Sequence, residues 1–206
     1  MSWVLFDYGG VISQPQPEAE VALLARVAGS TAGDFPAAYW AHRLDYDRGE
    51  LDGVTYWQKV AASLGRSFSA AEMAELTRLD IASWLHLQPG TVSLIEDLAA
   101  AAGHRLALLS NAPAEVAEVV AALPVAACFE HCLFSCYLRA VKPEPECYRA
   151  VLALLGAGPA DVVFVDDRAH NITGAQALGI RGVRFTGPAQ ARAALARHGV
   201  TAVLPE

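Results

Sequence analysis

Trp3-Val4-Leu5-Phe6-Asp7-Tyr8-Gly9-Gly10 places four large apolar side chains directly before a carboxylate and a glycine pair. So short an apolar run, stopped by turn-forming residues, predicts a buried strand over residues 2–6 that delivers Asp7 to its carboxyl end. The arrangement recurs twice downstream. A strand is predicted over residues 104–109, ending at Ser110-Asn111, and another over 161–165, ending at Asp166-Asp167. A short, irregular strand is expected near 132–135 and a last one at 183–185. Helical periodicity covers residues 91–102, 113–122, 144–155, 172–178 and 189–198. Strands alternating with helices imply an α/β fold with a mostly parallel sheet and right-handed crossovers. In such sheets ligands bind beyond the carboxyl ends of the strands, so Asp7, Ser110 and Asp166 converge on one rim.

The stretch after the first strand has a different character. Beyond Pro15 and Pro17, residues 18–27, 35–44, 54–64 and 70–85 carry helical periodicity, punctuated by Gly49 and Gly53. This is too much chain for a simple crossover. It forms a compact insert, so the chain divides into a core of residues 1–14 and 88–206 and a helical subdomain of residues 15–87. The 206 residues, 54% apolar and 18% charged, suit a folded core with a modest second subdomain rather than a disordered chain. A formal charge of −7 argues against a general nucleic-acid surface, yet one well-placed Lys still serves a small phosphorylated ligand. No apolar run approaches the roughly 18 residues that a membrane span needs, and no basic-then-apolar leader precedes Trp3. Cysteines at 128, 132, 136 and 147 form no close CxxC pair and are expected as free thiols in a reducing, cytoplasmic setting. Nothing in the sequence specifies an oligomeric state.

Four segments, in order, carry a family resemblance: Val4-Leu5-Phe6-Asp7-Tyr8-Gly9-Gly10-Val11, Leu108-Leu109-Ser110-Asn111, Lys142-Pro143, and Phe164-Val165-Asp166-Asp167 with Asn171 and Gly174. Together they resemble the haloacid dehalogenase-like hydrolase superfamily, most of whose members are phosphatases. Lys142-Pro143-Glu144-Pro145-Glu146-Cys147-Tyr148 resembles a subgroup of sugar-phosphate phosphatases and the amino-terminal phosphatase domain of epoxide hydrolases. The resemblance implies a Rossmann-like core with a small helical cap inserted after the first strand. It also implies Asp7 as covalent nucleophile, magnesium as cofactor and a small phosphorylated substrate. The dehalogenating branch shares the nucleophilic Asp but generally lacks the paired acids, because attack on carbon needs no metal.

Each residue also has a plainer reading. Asp7 could bind turn amides instead of attacking phosphorus. Asp166 and Asp167 could start a helix, or hold an oxygen-liganded cation beside Asp7 and the Gly9 carbonyl. Ser110 and Asn111 could cap the next helix, or bind a phosphoryl oxygen. Lys142 could be a solvated helix-start lysine, or offset charge between Asp7 and phosphate. Asn171 is expected to position the acidic loop, and His170 is a loop histidine or a proton relay. In the insert, Trp40, Arg43, Tyr46 and Arg48 are candidate substrate contacts, with helix packing or a solvated face as alternatives.

Gly9 departs from the family pattern, which has a second Asp there as general acid and base. The proton donor is missing, and Gly also permits backbone angles that Asp tolerates less well. Three readings follow: a magnesium-dependent phosphatase, a dehalogenase-like hydrolase acting at carbon, or a non-catalytic phosphate- and cation-binding module.

Overall fold

The computed structural model describes residues 2–101 and 103–201. Five strands form one parallel sheet: β1 (Ser2–Phe6), β2 (His104–Ser110), β3 (His131–Phe134), β4 (Val162–Asp166) and β5 (Arg181–Arg184). Their order in space is β3-β2-β1-β4-β5, so the first strand is central. The register pairs Phe6 with Leu108 on one side and with Val165 on the other. Three chain-distant strand ends are therefore held level, which is why Asp7, Ser110 and Asp166 meet.

Helices α1 (Glu18–Val27), α2 (Phe35–Ala41), α3 (Arg43–Asp47), α4 (Gly53–Ser63) and α5 (Ala70–Ser83) lie between β1 and the rest of the α/β repeat. They pack around their own apolar cluster, which includes Leu24, Phe35, Tyr39, Tyr56, Trp57 and Leu76. Asp52 caps α4 by accepting from Thr55 N, and Ser69 with Glu72 forms a capping box on α5. Around the sheet follow α6 (Pro89–Ala100), α7 (Ala114–Ala121), α8 (Ser135–Leu138), α9 (Pro145–Leu155), α10 (Ala169–Gln176) and α11 (Pro188–Arg197). Two apolar clusters, one containing Val4, Phe6 and Leu108 and the other Leu5, Leu109 and Phe164, cover the two faces of the sheet. Successive strand residues alternate between them, as the period of two requires.

Several element ends shift by one to three residues, so that α10 starts at Ala169 and carries His170 and Asn171, which were expected in the loop before it. Three further expectations change. The single helix over residues 35–44 is two, because His42 leaves helical geometry at φ −120° and ψ 4°. Ser135 ends no strand but opens α8, after β3 stops at Phe134. The helix expected to reach Ala102 has its last described residue at Ala100, and Ala102 itself lies outside the described residues. All four cysteines are free thiols. Among the described residues, no helix is long and apolar enough to cross a membrane.

Candidate active site

Asp7 lies one residue past β1, where its N–H still donates to Val165 O at 2.9 Å and extends the ladder. Its carboxylate is 2.6 Å from Lys142 Nζ, which also donates to Asp166 Oδ2 at 2.9 Å and Leu109 O at 3.0 Å. All three charged groups are buried. Asp166 is fully occupied: Arg168 N donates to Oδ1 at 2.7 Å, and Asn171 Nδ2 reaches both oxygens at 3.1 and 2.9 Å. Asn171 thus fixes Asp166, and Asp166 fixes the ammonium.

Asn111 acts at one remove. Its Nδ2 donates to Lys142 O at 2.9 Å and its Oδ1 accepts from Lys142 N at 2.9 Å, clamping the lysine main chain. Neither Ser110 nor Asn111 caps α7, whose start has no side-chain cap bond. The Ser110 hydroxyl makes only a 3.5 Å contact with Asn111 O, and Ser110 lines the cavity. Ser135, which no sequence signal marked, ties the insert to the core: its hydroxyl donates to Asp47 O at 2.5 Å and accepts from Ala112 N at 3.0 Å.

The electrostatics of the site suit a bound cation. Burial pushes the Asp7 carboxyl up to about 8, against the pull of Lys142. Asp167 is also raised by burial, whereas Lys142 and the Asn171 and Arg168 donors overcome burial to hold Asp166 below the usual range. One ammonium is shared by two carboxylates, and Asp167 adds a third negative charge. Asp7, Asp166 and Asp167 each offer an oxygen within 4.8 Å of the others, and Asp167 Oδ1 is buried without a hydrogen-bond partner. An orphaned carboxylate oxygen among three crowded carboxyl groups that share one ammonium fits a hard divalent cation. Gly10 makes room for the Asp167 carboxylate, since its φ is +76° and a Cβ there would come within 2.6 Å of Asp167 Oδ2. Gly9 is different. It is outside the left-handed region, and a Cβ on it would meet nothing closer than Trp84 Cζ3 at 3.4 Å. Backbone freedom therefore does not explain its glycine.

These groups form the floor of a cavity of about 620 Å³ whose opposite wall comes from the insert. Trp40 and Arg43 line it, but Tyr46 and Arg48 do not. Tyr46 is buried and stacked on Tyr56, with ring centroids 4.3 Å apart. Arg48 pairs with Glu144 at 2.6 Å and Glu50 at 3.3 Å, away from the floor. Arg43 is engaged as well: it reaches Asp47 at 2.7 Å, Asp80 at 3.0 Å and the Tyr39 hydroxyl. Sequence reading passed over Trp84, Leu44 and Arg168, which all line the cavity with the exposed His170. Their positions follow from how the helices cross, which no local pattern reports.

The sequence model of a family described as haloacid dehalogenase-like hydrolase matches residues 1–179. The chain is similar to (S)-2-haloacid dehalogenase 1 of a Pseudomonas species, at 29% identity over 63% of this chain and 60% of that protein. Curated relatives are matched over 9% to 60% of their length. Among solved structures, it resembles a HAD family enzyme of Bacteroides thetaiotaomicron in complex with magnesium and inorganic phosphate. That likeness has a TM-score of 0.73 at 21% identity, over 89% of this chain and 93% of the other. L-2-haloacid dehalogenase of Xanthobacter autotrophicus, with covalently bound chloropropionic acid, superposes with a TM-score of 0.70 at 21% identity, over 98% and 84%. At such identities the structural likeness speaks to the fold.

Proposed function

The chain belongs to the haloacid dehalogenase-like hydrolases, and on that premise we propose that it is a magnesium-dependent phosphatase of a small organic phosphate, acting through an aspartyl-phosphate at Asp7. The observation that carries this reading is the unpartnered, buried Oδ1 of Asp167 beside Asp7 in a triad with only one ammonium. Attack on carbon has no need of that oxygen; attack on a phosphate dianion requires its charge to be offset.

Asp7, Asp167 and the main-chain carbonyl of Gly9 would hold the cation, with Asp166 kept back to orient Lys142. Bound there, it supplies neutralisation between the Asp7 carboxylate and the phosphate. Asp7 attacks phosphorus; as its P–O bond forms, the ester P–O bond breaks. The substrate oxygen leaves with the electron pair and takes a proton from water. A second water then cleaves the aspartyl-phosphate to inorganic phosphate and free Asp7. Lys142, anchored by Asp166 and by the Asn111 clamp, offsets the charge spreading over the phosphoryl oxygens. Ser110 has a hydroxyl free to donate to one of those oxygens. Trp40 and Arg43 belong to the cap wall that faces the rest of the substrate. The magnesium-and-phosphate complex of the Bacteroides relative is consistent with this chemistry.

A panel of phosphate esters assayed with magnesium and with chelator tests the reading. Turnover should require magnesium and disappear in folded Asp7→Asn, because an amide is a poor nucleophile toward phosphorus. Asp167→Ala should sharply raise the magnesium needed for half-maximal rate. Halide release from a 2-haloacid in chelator, without ester cleavage, would place the chain with the carbon-attacking branch. Magnesium binding without turnover of any ester would leave a binding module.

A further inference from the structure

The floor of the cavity is charged, whereas its opposite wall exposes large apolar side chains. Trp40 and Leu44, four residues apart, stand 45% and 50% exposed and both face the cavity. Trp84, just past the end of α5, brings its ring over Gly9, and its carbonyl is held to the floor by the Tyr8 hydroxyl at 2.8 Å. Two polar side chains on that wall already have partners, while the Trp84 indole N–H is buried without one. Gln16 donates to Ser83 Oγ at 2.8 Å, and Arg43 is bound to Asp47 and Asp80. The surface this wall exposes to the cavity is largely the apolar side chains of Trp40 and Leu44.

The missing acid at position 9 bears on the same question independently. An alkoxide must be protonated as it leaves, whereas an aromatic oxyanion departs without help. Of the other carboxyl groups lining the cavity, Asp47 is paired with Arg43 and Asp167 belongs to the acidic cluster. The exposed His170 also lines it, on the acidic-loop side rather than beside Gly9. The space next to Gly9 is filled by Trp84, an aromatic surface in place of a proton donor.

We propose that the substrate class is an aryl phosphate, its ring lying against Trp84, Trp40 and Leu44 while its phosphate rests on the floor. This rests on the phosphatase reading above and narrows it. Asp7 forms a bond to phosphorus as the P–O bond to the ring breaks; the electron pair leaves on the aryl oxygen, which takes a proton from water afterwards. A second water then attacks the aspartyl-phosphate, the bond between phosphorus and Asp7 breaks, and inorganic phosphate and the Asp7 carboxylate are regenerated, with the proton going to solvent.

Four probes separate ring contact from leaving-group acidity: 4-nitrophenyl phosphate, phenyl phosphate, acetyl phosphate (an acidic leaving group with no ring) and glucose 6-phosphate. With magnesium, both aryl esters should exceed glucose 6-phosphate in kcat/KM by about 10² or more, the scale of general-acid help. Trp40→Ala, at an exposed position, should raise KM for 4-nitrophenyl phosphate about tenfold more than KM for acetyl phosphate, as loss of roughly one ring contact predicts. Gly9→Asp should narrow the gap between aryl and sugar esters, with a thermal melt confirming that each variant folds. Glucose 6-phosphate cleaved as well as phenyl phosphate, or equal KM changes for the two probes in Trp40→Ala, would overturn the aryl assignment and leave the phosphatase reading standing. Absence of turnover with every probe would remove both.

Discussion

At Gly10 the backbone takes φ +76°, and a β-carbon would come within 2.6 Å of Asp167 Oδ2 and 2.8 Å of Asp167 Cγ. Two separate costs are folded into that one position: a left-handed backbone, worth about 1–2 kcal/mol against any L side chain, and displacement of the Asp167 carboxylate, a proposed cation ligand. Gly10→Ala should therefore raise the magnesium needed for half-maximal activity by roughly tenfold or more, on the scale of disturbed supports around a metal. Gly65 separates the two costs. It has φ +66° with nothing within 4 Å of a β-carbon, so Gly65→Ala should lower the melting temperature and leave the magnesium titration alone. Equal magnesium titrations for native and Gly10→Ala protein would show that Asp167 does not face the cation. The neighbouring Gly9 needs no such conformation, so its glycine bears on chemistry and on the room left for Trp84.

Among the elements, α2, α3 and α5 are joined by a buried polar knot. The break at His42 lets Arg43 reach Asp47 on its own short helix and Asp80 on α5, while the Tyr39 hydroxyl donates to Asp80 at 2.5 Å. Burial raises the Asp47 carboxyl even with the guanidinium beside it. Removing the cation strands two carboxylates in a dry interior. Arg43→Ala should cost about 3–5 kcal/mol of unfolding free energy, the range for breaking a buried ion pair from one side. Urea unfolding followed by tryptophan fluorescence checks this, since Trp40, Trp57 and Trp84 all lie in or beside these helices. An unchanged midpoint would mean that water reaches the knot in solution. The same knot supports α3, whose Asp47 carbonyl is held by Ser135 from the core.

For the whole molecule, the buried carboxylates couple stability to pH and, on the proposed role of the acidic cluster, to magnesium. Asp7 is raised by burial from 3.8 to about 8, so the folded state holds a proton that the unfolded state has lost. Its contribution is full below 3.8 and declines as pH rises through about 8. Asp166 runs the other way: held low by Lys142 and its neighbours, it stabilises above its ordinary 3.8 and loses that contribution as pH falls through its folded value. Chelated protein should therefore melt at lower temperature at pH 8 than at pH 6. At the proposed site magnesium would bind the deprotonated ligands, so its stabilising shift should be larger at pH 8. Thermal melts with magnesium or chelator at the two pH values measure this, and equal magnesium shifts would contradict it.

Local pattern alone carried the α/β architecture and the residues at the three strand ends, because strand and helix periods are short-range and a parallel sheet sends every strand's carboxyl end to one rim. Asp7, Ser110, Asp166 and Asp167 were legible for that reason, and Lys142 through its family motif. The partners that give those residues their roles were not. Asn111 reaches the site by gripping the main chain of Lys142, 31 positions away, and Ser135 holds Asp47 across 88 positions. Arg48, expected at the substrate, is drawn off by Glu144 across 96 positions, and Tyr46 is buried against Tyr56. Trp84 closes over Gly9 only because α5 ends above the first loop, where Tyr8 holds its carbonyl. A side chain's type and spacing specify the face of an element it occupies; which group it meets there depends on how elements pack, and burial then decides which charges must pair.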